Sequence, residues 1–340
     1  MVGPDGNLPL PWLDDALQHA LRTQRGHALL VHGPQGIGQF ELTLALAQTW
    51  LCDRRPSDRA CGTCPSCRLV QGRTHPDLLV LLPEALRAAL GWEAEEGGDA
   101  DKGSSSKAKP SKDIKVEAVR AAVLFAQTTA SRGGPKVVLI HPAERMNAVA
   151  ANTLLKTLEE PPGAARFILS CGAPEALLPT IRSRCQAVPL ALPPFEPARA
   201  WLASHKVAQP EVMLAAAGGQ PLEALQWVQD GIDAVTWTRL PRQLLAGESG
   251  SLASWPLPRL LDALQKLCHD ALCTAWGAPP RYFPAASLPR AGDPARLQAW
   301  SQALSKTVRH AEHPWSLPVM AESLAQQAQR ALVPPPGSPK

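Results

Sequence analysis

Four cysteines lie close together near the start of the chain, at Cys52, Cys61, Cys64 and Cys67. Closely spaced thiolates can surround a tetrahedral Zn²⁺, and four protein ligands leave no open position for a catalytic water. The spacing therefore predicts a structural zinc site within residues 52–67. An iron–sulfur cluster and a set of unrelated reduced thiols are alternatives. A zinc ribbon that binds nucleic acid is another, because the segment also carries Arg54, Arg55, Arg59 and Arg68.

A glycine-rich loop has the outline of a phosphate-binding P-loop. Its glycines, which would let backbone N–H groups turn toward a phosphate, are Gly33, Gly36 and Gly38. A working P-loop continues with a Lys for the phosphates and a Ser or Thr for Mg²⁺. Gln39 and Phe40 stand at those positions and supply neither group. The sequence predicts a degenerate nucleotide loop for which ATP binding is not expected. A plain strand-to-helix turn is the alternative.

The acidic half of such a site is missing as well. In P-loop enzymes a strand ends in acidic residues that hold Mg²⁺ and position the attacking water. Here the apolar run from Lys136 to Ile140 is followed by His141 and Pro142, which offer no hard oxygen ligand. Two separate segments therefore lack the side chains that bind phosphate and Mg²⁺ in P-loop enzymes. We expect no ATP hydrolysis by the isolated chain.

An arginine downstream could act on a phosphate elsewhere. Arg184 follows the fourth apolar run within the segment Thr180-Ile-Arg-Ser-Arg-Cys185. A guanidinium is a permanently charged planar fork that matches phosphate oxygens. Supplied to a neighbouring subunit, it could stabilise the charge that develops in phosphoryl transfer. Taken alone, the pair of Arg182 and Arg184 is more typical of surface salt-bridge partners.

Alternating strand and helix patterns must position these residues. Buried apolar runs predict strands, which we place at residues 27–32, 77–82, 136–140, 166–170 and 187–190. Helical spacing of apolar residues follows the loop from Gln39 to Leu51, recurs from Lys115 to Thr129, and includes Ala151 to Leu158. The alternation predicts an α/β fold with a parallel sheet.

Composition divides the chain into segments. The α/β pattern covers residues 1–193, with a Gly-, Ser- and charge-rich insertion at about 93–113 that we expect to be disordered. Helical patterns without strands follow, and small residues near Ser249 mark a join between them. We predict helical domains at residues 194–247 and 248–333 and a disordered tail at 334–340.

Bulk composition excludes other classes of protein. The formal net charge of +4 is mild, and no aromatic stripe alternates with basic residues as in a base-stacking surface. The chain lacks an apolar run long enough for a membrane span. Its first ten residues also lack the pattern of a secretory signal. A cytoplasmic protein is expected.

Several motifs together resemble the AAA+ subunits of bacterial clamp loaders. They are Lys136-Val-Val-Leu-Ile140, Ala151-Asn-Thr-Leu-Leu-Lys-Thr-Leu-Glu-Glu-Pro-Pro162 and Thr180-Ile-Arg-Ser-Arg-Cys185, with the four-cysteine insert directly after the P-loop helix. The resemblance covers Leu8 to Pro193 and weakens after about Val235. Within this family, loss of the P-loop Lys points to an ATPase-inactive subunit and away from the motor subunits, gamma or tau.

The resemblance implies a fold, partners and residue roles. The fold would be an AAA+ domain, a helical lid and a C-terminal helical collar that oligomerises. The chain would join motor subunits and delta in a heteropentamer of the DNA polymerase III holoenzyme, which loads the beta sliding clamp onto primed DNA. Arg184, between Ser183 and Cys185, would be the arginine finger offered in trans. The four cysteines would hold Zn²⁺.

Overall fold

Five short strands of the computed structural model lie in one sheet: β1 Ala28–His32, β2 Leu78–Leu81, β3 Val137–Ile140, β4 Arg166–Cys171 and β5 Gln186–Pro189. Their order is β2-β3-β4-β1-β5, and all neighbouring strands are parallel. The carboxyl ends of parallel strands share one edge of the sheet. The residues that follow β1, β3 and β4 therefore meet at that edge, and these include the glycine loop and His141.

The chain divides into two compact units, Met1–Pro194 and Phe195–Lys340. The structure describes residues 1–24, 26–54, 59–92, 110–249, 252–290, 292–310 and 315–333. The predicted insertion at 93–113 lies outside the described residues up to position 109, and the predicted tail at 334–340 lies outside them entirely. Within the insertion, the backbone N–H of Ser111 donates to Glu84 Oε2 at 3.1 Å.

Helices cover the sheet of the first unit and keep its central strands out of water. All four residues of β3 are buried, as are the first four of β1, which explains their nearly continuous Val, Leu and Ile. The α-helices of this unit are α1 Asp14–Thr23, α2 Gln39–Leu51, α3 Pro65–Gln71, α4 Glu84–Arg87, α5 Val116–Gln127, α6 Ala148–Glu159 and α7 Pro179–Arg182. Short 3₁₀ helices span Pro11–Leu13, Ala143–Arg145 and Pro174–Ala176.

The described part of the second unit is helical. Its α-helices are α8 Phe195–Ser204, α9 Pro210–Ala216, α10 Pro221–Gln229, α11 Ala234–Ala246, α12 Leu257–Ala275, α13 Pro294–Val308 and α14 Leu317–Leu332, with 3₁₀ turns at Leu252–Ser254 and Ala285–Ser287. One apolar core runs from Ala198 to Leu332. Trp237 lies inside it, stacked on Phe283 with ring centroids 4.3 Å apart.

The predicted fold class, a parallel α/β sheet followed by helical structure, is confirmed. All five predicted strands are present, with ends that differ by at most one residue. The separation of a lid from a collar at residue 247 stays a prediction, and one core spans both predicted segments. In the described part of the chain, every helix is too short or too polar to cross a bilayer.

Candidate functional site

The glycine loop joins β1 to α2 through two positions that only glycine fits. A Cβ on Gly33 would lie 2.2 Å from the carbonyl oxygen of Leu190. Gly38 adopts a left-handed conformation with φ of 106°, and a Cβ there would lie 2.6 Å from Leu10 Cδ1. The Trp12 indole also donates to the carbonyl of Ile37 at 2.8 Å. The loop is therefore packed on one side against the segment that precedes α1.

Gln39 is turned into the loop. Its side-chain amide donates to the carbonyl of Gly33 at 2.7 Å and also to that of Pro34. The side chain is 6 % exposed, so these bonds satisfy a nearly buried polar group. A neutral amide therefore stands where a P-loop enzyme has an ammonium group, and residues 33–40 contain no cationic side chain.

Phe40, near the start of α2, and His141, which follows β3, pack against each other. Their ring centroids are 5.0 Å apart at an interplanar angle of 36°. Phe40 is 6 % exposed and belongs to an apolar cluster with Leu44, Leu82 and Leu139. Each ring thus covers apolar surface of the other. An aromatic pair therefore lies between the start of α2 and the end of β3.

His141 is an uncharged group at this position. Burial lowers its pKa to about 4, since the charged imidazolium would lose its hydration. Its Nδ1 lies 2.9 Å from the Ser170 hydroxyl at the end of β4. At neutral pH the ring therefore contributes neither a positive charge nor a carboxylate.

The four predicted zinc ligands converge after α2. Their sulfur atoms lie within 4.8 Å of one another. The separation from Cys52 Sγ is 3.6 Å to Cys61 Sγ and 3.8 Å to Cys64 Sγ, and that from Cys61 to Cys67 is 3.9 Å. Sulfurs at about 2.3 Å from one tetrahedral ion would be about 3.8 Å apart. The cluster fits a metal ion of the size of Zn²⁺.

Backbone N–H groups donate hydrogen bonds to two of the sulfur atoms and so favour their thiolate form. Burial opposes ionisation of Cys61, but hydrogen bonds from Thr63 and Cys64 outweigh it and lower its pKa to about 6. The same backbone pattern recurs at Cys67, whose N–H donates to Cys64 Sγ at 3.4 Å. Burial instead raises the pKa of Cys52 and of Cys67, so these thiols need a cation before they ionise.

A polar network attaches the four-cysteine segment to the loop before β3. Asp53 accepts bonds from the Ser66 N–H at 3.1 Å and the Ser66 hydroxyl at 2.6 Å. Arg132 donates its Nε to that hydroxyl at 2.9 Å and pairs with Asp53 at 3.5 Å. The backbone N–H of Arg132 also donates to the buried carboxylate of Asp77 at 3.0 Å. The segment is therefore fixed to the edge of the sheet where the strands begin.

Arg184 lies between α7 and β5 with its side chain 29 % exposed. Its Nε donates to Glu159 Oε1 at 2.7 Å, its Nη2 to the same oxygen, and its Nη1 to the carbonyl of Thr180 at 2.9 Å. The Ser183 hydroxyl also donates to the carbonyl of Thr180, at 3.2 Å. Cys185 packs on the core of the first unit, and burial raises its pKa to about 12.

The topology separates Arg184 from the glycine loop of its own chain. Arg184 precedes β5, whereas the loop follows β1, and these strands are parallel neighbours. The two segments therefore lie at opposite edges of the sheet, separated by roughly 10 Å of strand. The residues predicted from the sequence therefore lie in three separate sites. These are the glycine loop with Phe40 and His141, the cysteine cluster, and the turn that contains Arg184.

Sequence reasoning did not identify three of the residues that shape these places. Glu159 belongs to a motif that carried the family resemblance, yet no role was predicted for it. Ser170 ends a predicted strand, and Trp12 lies before the first predicted element. Only the position of Ser170 after an apolar run gave a signal, because polar residues at strand ends often line sites in parallel sheets.

The fold and the loop together define a class of protein. A five-stranded parallel sheet with a glycine loop between β1 and α2, followed by a helical unit, is the architecture of AAA+ proteins. The family described as "DNA polymerase III, delta subunit" matches residues 13–194 of the chain.

Curated relatives specify the subunit. DNA polymerase III subunit delta' of Pseudomonas aeruginosa is 39% identical over 266 residues, covering 74% of each chain. The delta' subunit of Escherichia coli is 32% identical over 311 residues and covers 85% of each chain. DNA polymerase III subunit gamma/tau of Mycobacterium bovis is 27% identical over 83% of this chain and 47% of its own. The chain belongs to the delta-prime subunit family of DNA polymerase III.

Proposed function

We propose that this chain is the ATPase-inactive subunit of a clamp loader and supplies Arg184 to the ATP site of an adjacent motor subunit, gamma or tau. In this role it joins motor subunits and delta in a heteropentamer. The assembly places the beta sliding clamp on primed DNA in the bacterial cytoplasm. Family membership supports the complex, and the finer roles rest on the two places described next.

The aromatic pair of Phe40 and His141 carries the proposal of inactivity. Phosphoryl transfer depends on Mg²⁺ and on cationic groups around the transferred phosphate. Here the loop amide of Gln39 is neutral, and an uncharged imidazole packs on a phenyl ring at the metal position. Restoring a single side chain would still leave the other two groups missing.

The position of Arg184 supports a role in trans. The guanidinium is partly exposed, and it lies at the edge of the sheet opposite the chain's own loop. It cannot serve that loop without crossing the length of β5. A neighbouring subunit that presents its nucleotide to the α7–β5 turn would meet the guanidinium directly, as an arginine finger does.

The cysteine cluster is proposed to hold one structural Zn²⁺. Four sulfur ligands complete a tetrahedral site, so the ion would have no position for substrate. Cys52 follows α2, and the ion would join the end of this helix to α3 through Cys64 and Cys67. Its contribution is to local stability, without participation in phosphate chemistry.

The decisive experiment compares Arg184→Ala with Arg182→Ala in a clamp loader reconstituted from purified subunits. Arg182 is the exposed last residue of α7, two positions before Arg184, so both variants remove one positive charge from neighbouring positions. Loss of an arginine finger lowers hydrolysis at one site by about 10³-fold or more. In a rapid-quench burst, Arg184→Ala should remove one ATP equivalent per loader, because the other motor sites keep their own arginines.

Two outcomes would contradict the proposal. A full burst with Arg184→Ala would show that this arginine does not act on ATP in a neighbouring subunit. ATP turnover by the purified chain alone, abolished by a substitution at Gly38, would overturn the proposed inactivity. Arg184→Lys should behave nearly as Arg184→Ala, since an ammonium cannot reproduce the two-pronged geometry of the guanidinium.

A further inference from the structure

Glu159 makes the strongest contact of the Arg184 side chain. This glutamate is the last residue of α6, and Oε1 accepts from both Nε and Nη2 of Arg184. The carbonyl of Thr180 fixes Nη1 from another direction, at 2.9 Å. Two elements of the first unit, α6 and α7, thus determine where the guanidinium lies.

The bonds are distributed unevenly over the guanidinium. Arginine has five N–H donors in a fixed plane. Glu159 takes the Nε–H and one N–H of Nη2, which form the side edge, and Thr180 takes one N–H of Nη1. One N–H of Nη2 and one of Nη1 remain, and of these only Nη1 makes a further contact, a long one of 3.4 Å with the Ser183 hydroxyl. Two donors can therefore still be offered to phosphate oxygens.

We propose that Glu159 is a positioning residue for Arg184, holding the guanidinium through Nε–H and one N–H of Nη2 so that its remaining donors are available to a neighbour's nucleotide. The inference rests on the proposed function and specifies how its site is controlled. A free arginine samples many rotamers, and catalysis depends strongly on placement, so that a 1 Å error can cost about 10²-fold in rate. Because the carboxylate is 48 % exposed, water screens it and the guanidinium keeps most of its attraction for phosphate.

A purely structural role for Glu159 would appear in the free energy of unfolding and not in the burst of ATP hydrolysis. Ion pairs with this much exposure contribute little to folding stability. The adjacent Glu160 is also exposed, and Arg184 donates instead to Glu159, Thr180 and Ser183. Glu160→Ala is therefore a matched control that removes the same charge from the same helix end.

The test uses the full reconstituted loader and a double-mutant cycle. Glu159→Ala, Glu159→Gln and Glu160→Ala are each made with Arg184 present and with Arg184→Ala. We expect Glu159→Ala to slow the burst at the site served by Arg184 by about tenfold, with the KM for ATP within about twofold. Glu159→Gln keeps an accepting oxygen and should recover most of that rate, while Glu160→Ala should match the wild type. In the Arg184→Ala background Glu159→Ala should add nothing.

The outcomes separate this inference from the proposed function. An unchanged burst with Arg184→Ala would refute the finger itself. If Arg184→Ala removes the burst of one site but Glu159→Ala leaves it intact, Glu159 does not position the arginine. Faster hydrolysis with Glu159→Ala would mean that the glutamate keeps Arg184 away from the nucleotide. If Glu159→Ala slows the burst equally in the Arg184→Ala background, Glu159 has a role that is independent of Arg184. Either result overturns the positioning proposal.

Discussion

Replacing His141 should change how the stability of the first unit depends on pH. The folded imidazole has a pKa of about 4 because it is buried, whereas an unfolded chain gives histidine its ordinary value of about 6.5. On acidification the unfolded chain binds a proton that the folded chain does not. The unfolding free energy is therefore unaffected by this group above pH 6.5 and falls as the pH drops from 6.5 toward 4.

The size of the effect follows from the two pKa values. Between them, the free energy of unfolding decreases by at most about 1.4 kcal/mol per pH unit. Integrated from pH 7 to pH 5, a shift from 6.5 to about 4 removes about 2 kcal/mol. His141→Asn can still hydrogen-bond to Ser170 but has no proton to bind in this range. Its lost contact with Phe40 lowers stability equally at both pH values.

Hydrogen exchange of the buried amides of β3 and β4 measures this free energy for the first unit alone. We compare the wild type, His141→Asn and the control His310→Asn, which alters an exposed histidine of the second unit. Zn²⁺ is kept in excess at every pH. The gap between wild type and His141→Asn should shrink by about 2 kcal/mol from pH 7 to pH 5. A constant gap would show that folding does not lower the pKa of His141 and that its burial against Phe40 is wrong.

Two further perturbations test the cysteine cluster and the second unit. The protein purified without chelator should contain about one Zn²⁺ per chain by mass spectrometry, and Cys64→Ser should lose it while Cys273→Ser keeps it; equal metal content in both variants would contradict the site. Asp270 is fully buried and accepts backbone N–H bonds from residues 281–283 at 2.8–2.9 Å. Asp270→Ala should lower the free energy of unfolding by about 3 kcal/mol or more, measured by urea unfolding with tryptophan fluorescence. Asp262→Ala removes a carboxylate of the same helix whose side chain is 44 % exposed and should cost little. Similar losses in the two variants would contradict the role of Asp270.

Elements whose position depends on one local feature of the sequence were predictable from it. The strands β1, β3 and β4 are runs of buried apolar residues, so composition alone located them. Gln39–Leu51 was located to the residue because the glycine loop gives its start and the cysteine segment its end. The cysteine cluster was equally accessible, since short spacing forces the four side chains into one small volume.

Contacts between distant segments were not predictable. Glu159 and Arg184 are separated by 25 residues, and Phe40 and His141 by about a hundred. The sequence marked Phe40, His141 and Arg184 as candidate positions and gave no role to Glu159, because pairing depends on which loops share an edge of the sheet. Only the strand order β2-β3-β4-β1-β5 supplies that information. A strand pattern fixes the number of strands and leaves their order open.

Under the proposed loss of ATPase activity, the contact between Phe40 and His141 links the two positions physically. An acidic residue in place of His141 would place a carboxylate against a buried phenyl ring, where an ionised group is costly without a partner. A serine or threonine in place of Phe40 would leave a cavity beside Leu44 and Leu139. Each restored residue would therefore destabilise the fold unless the other changed with it. The pair acts as one packing unit, so we expect that metal binding at this place would require simultaneous changes at both positions and at Gln39.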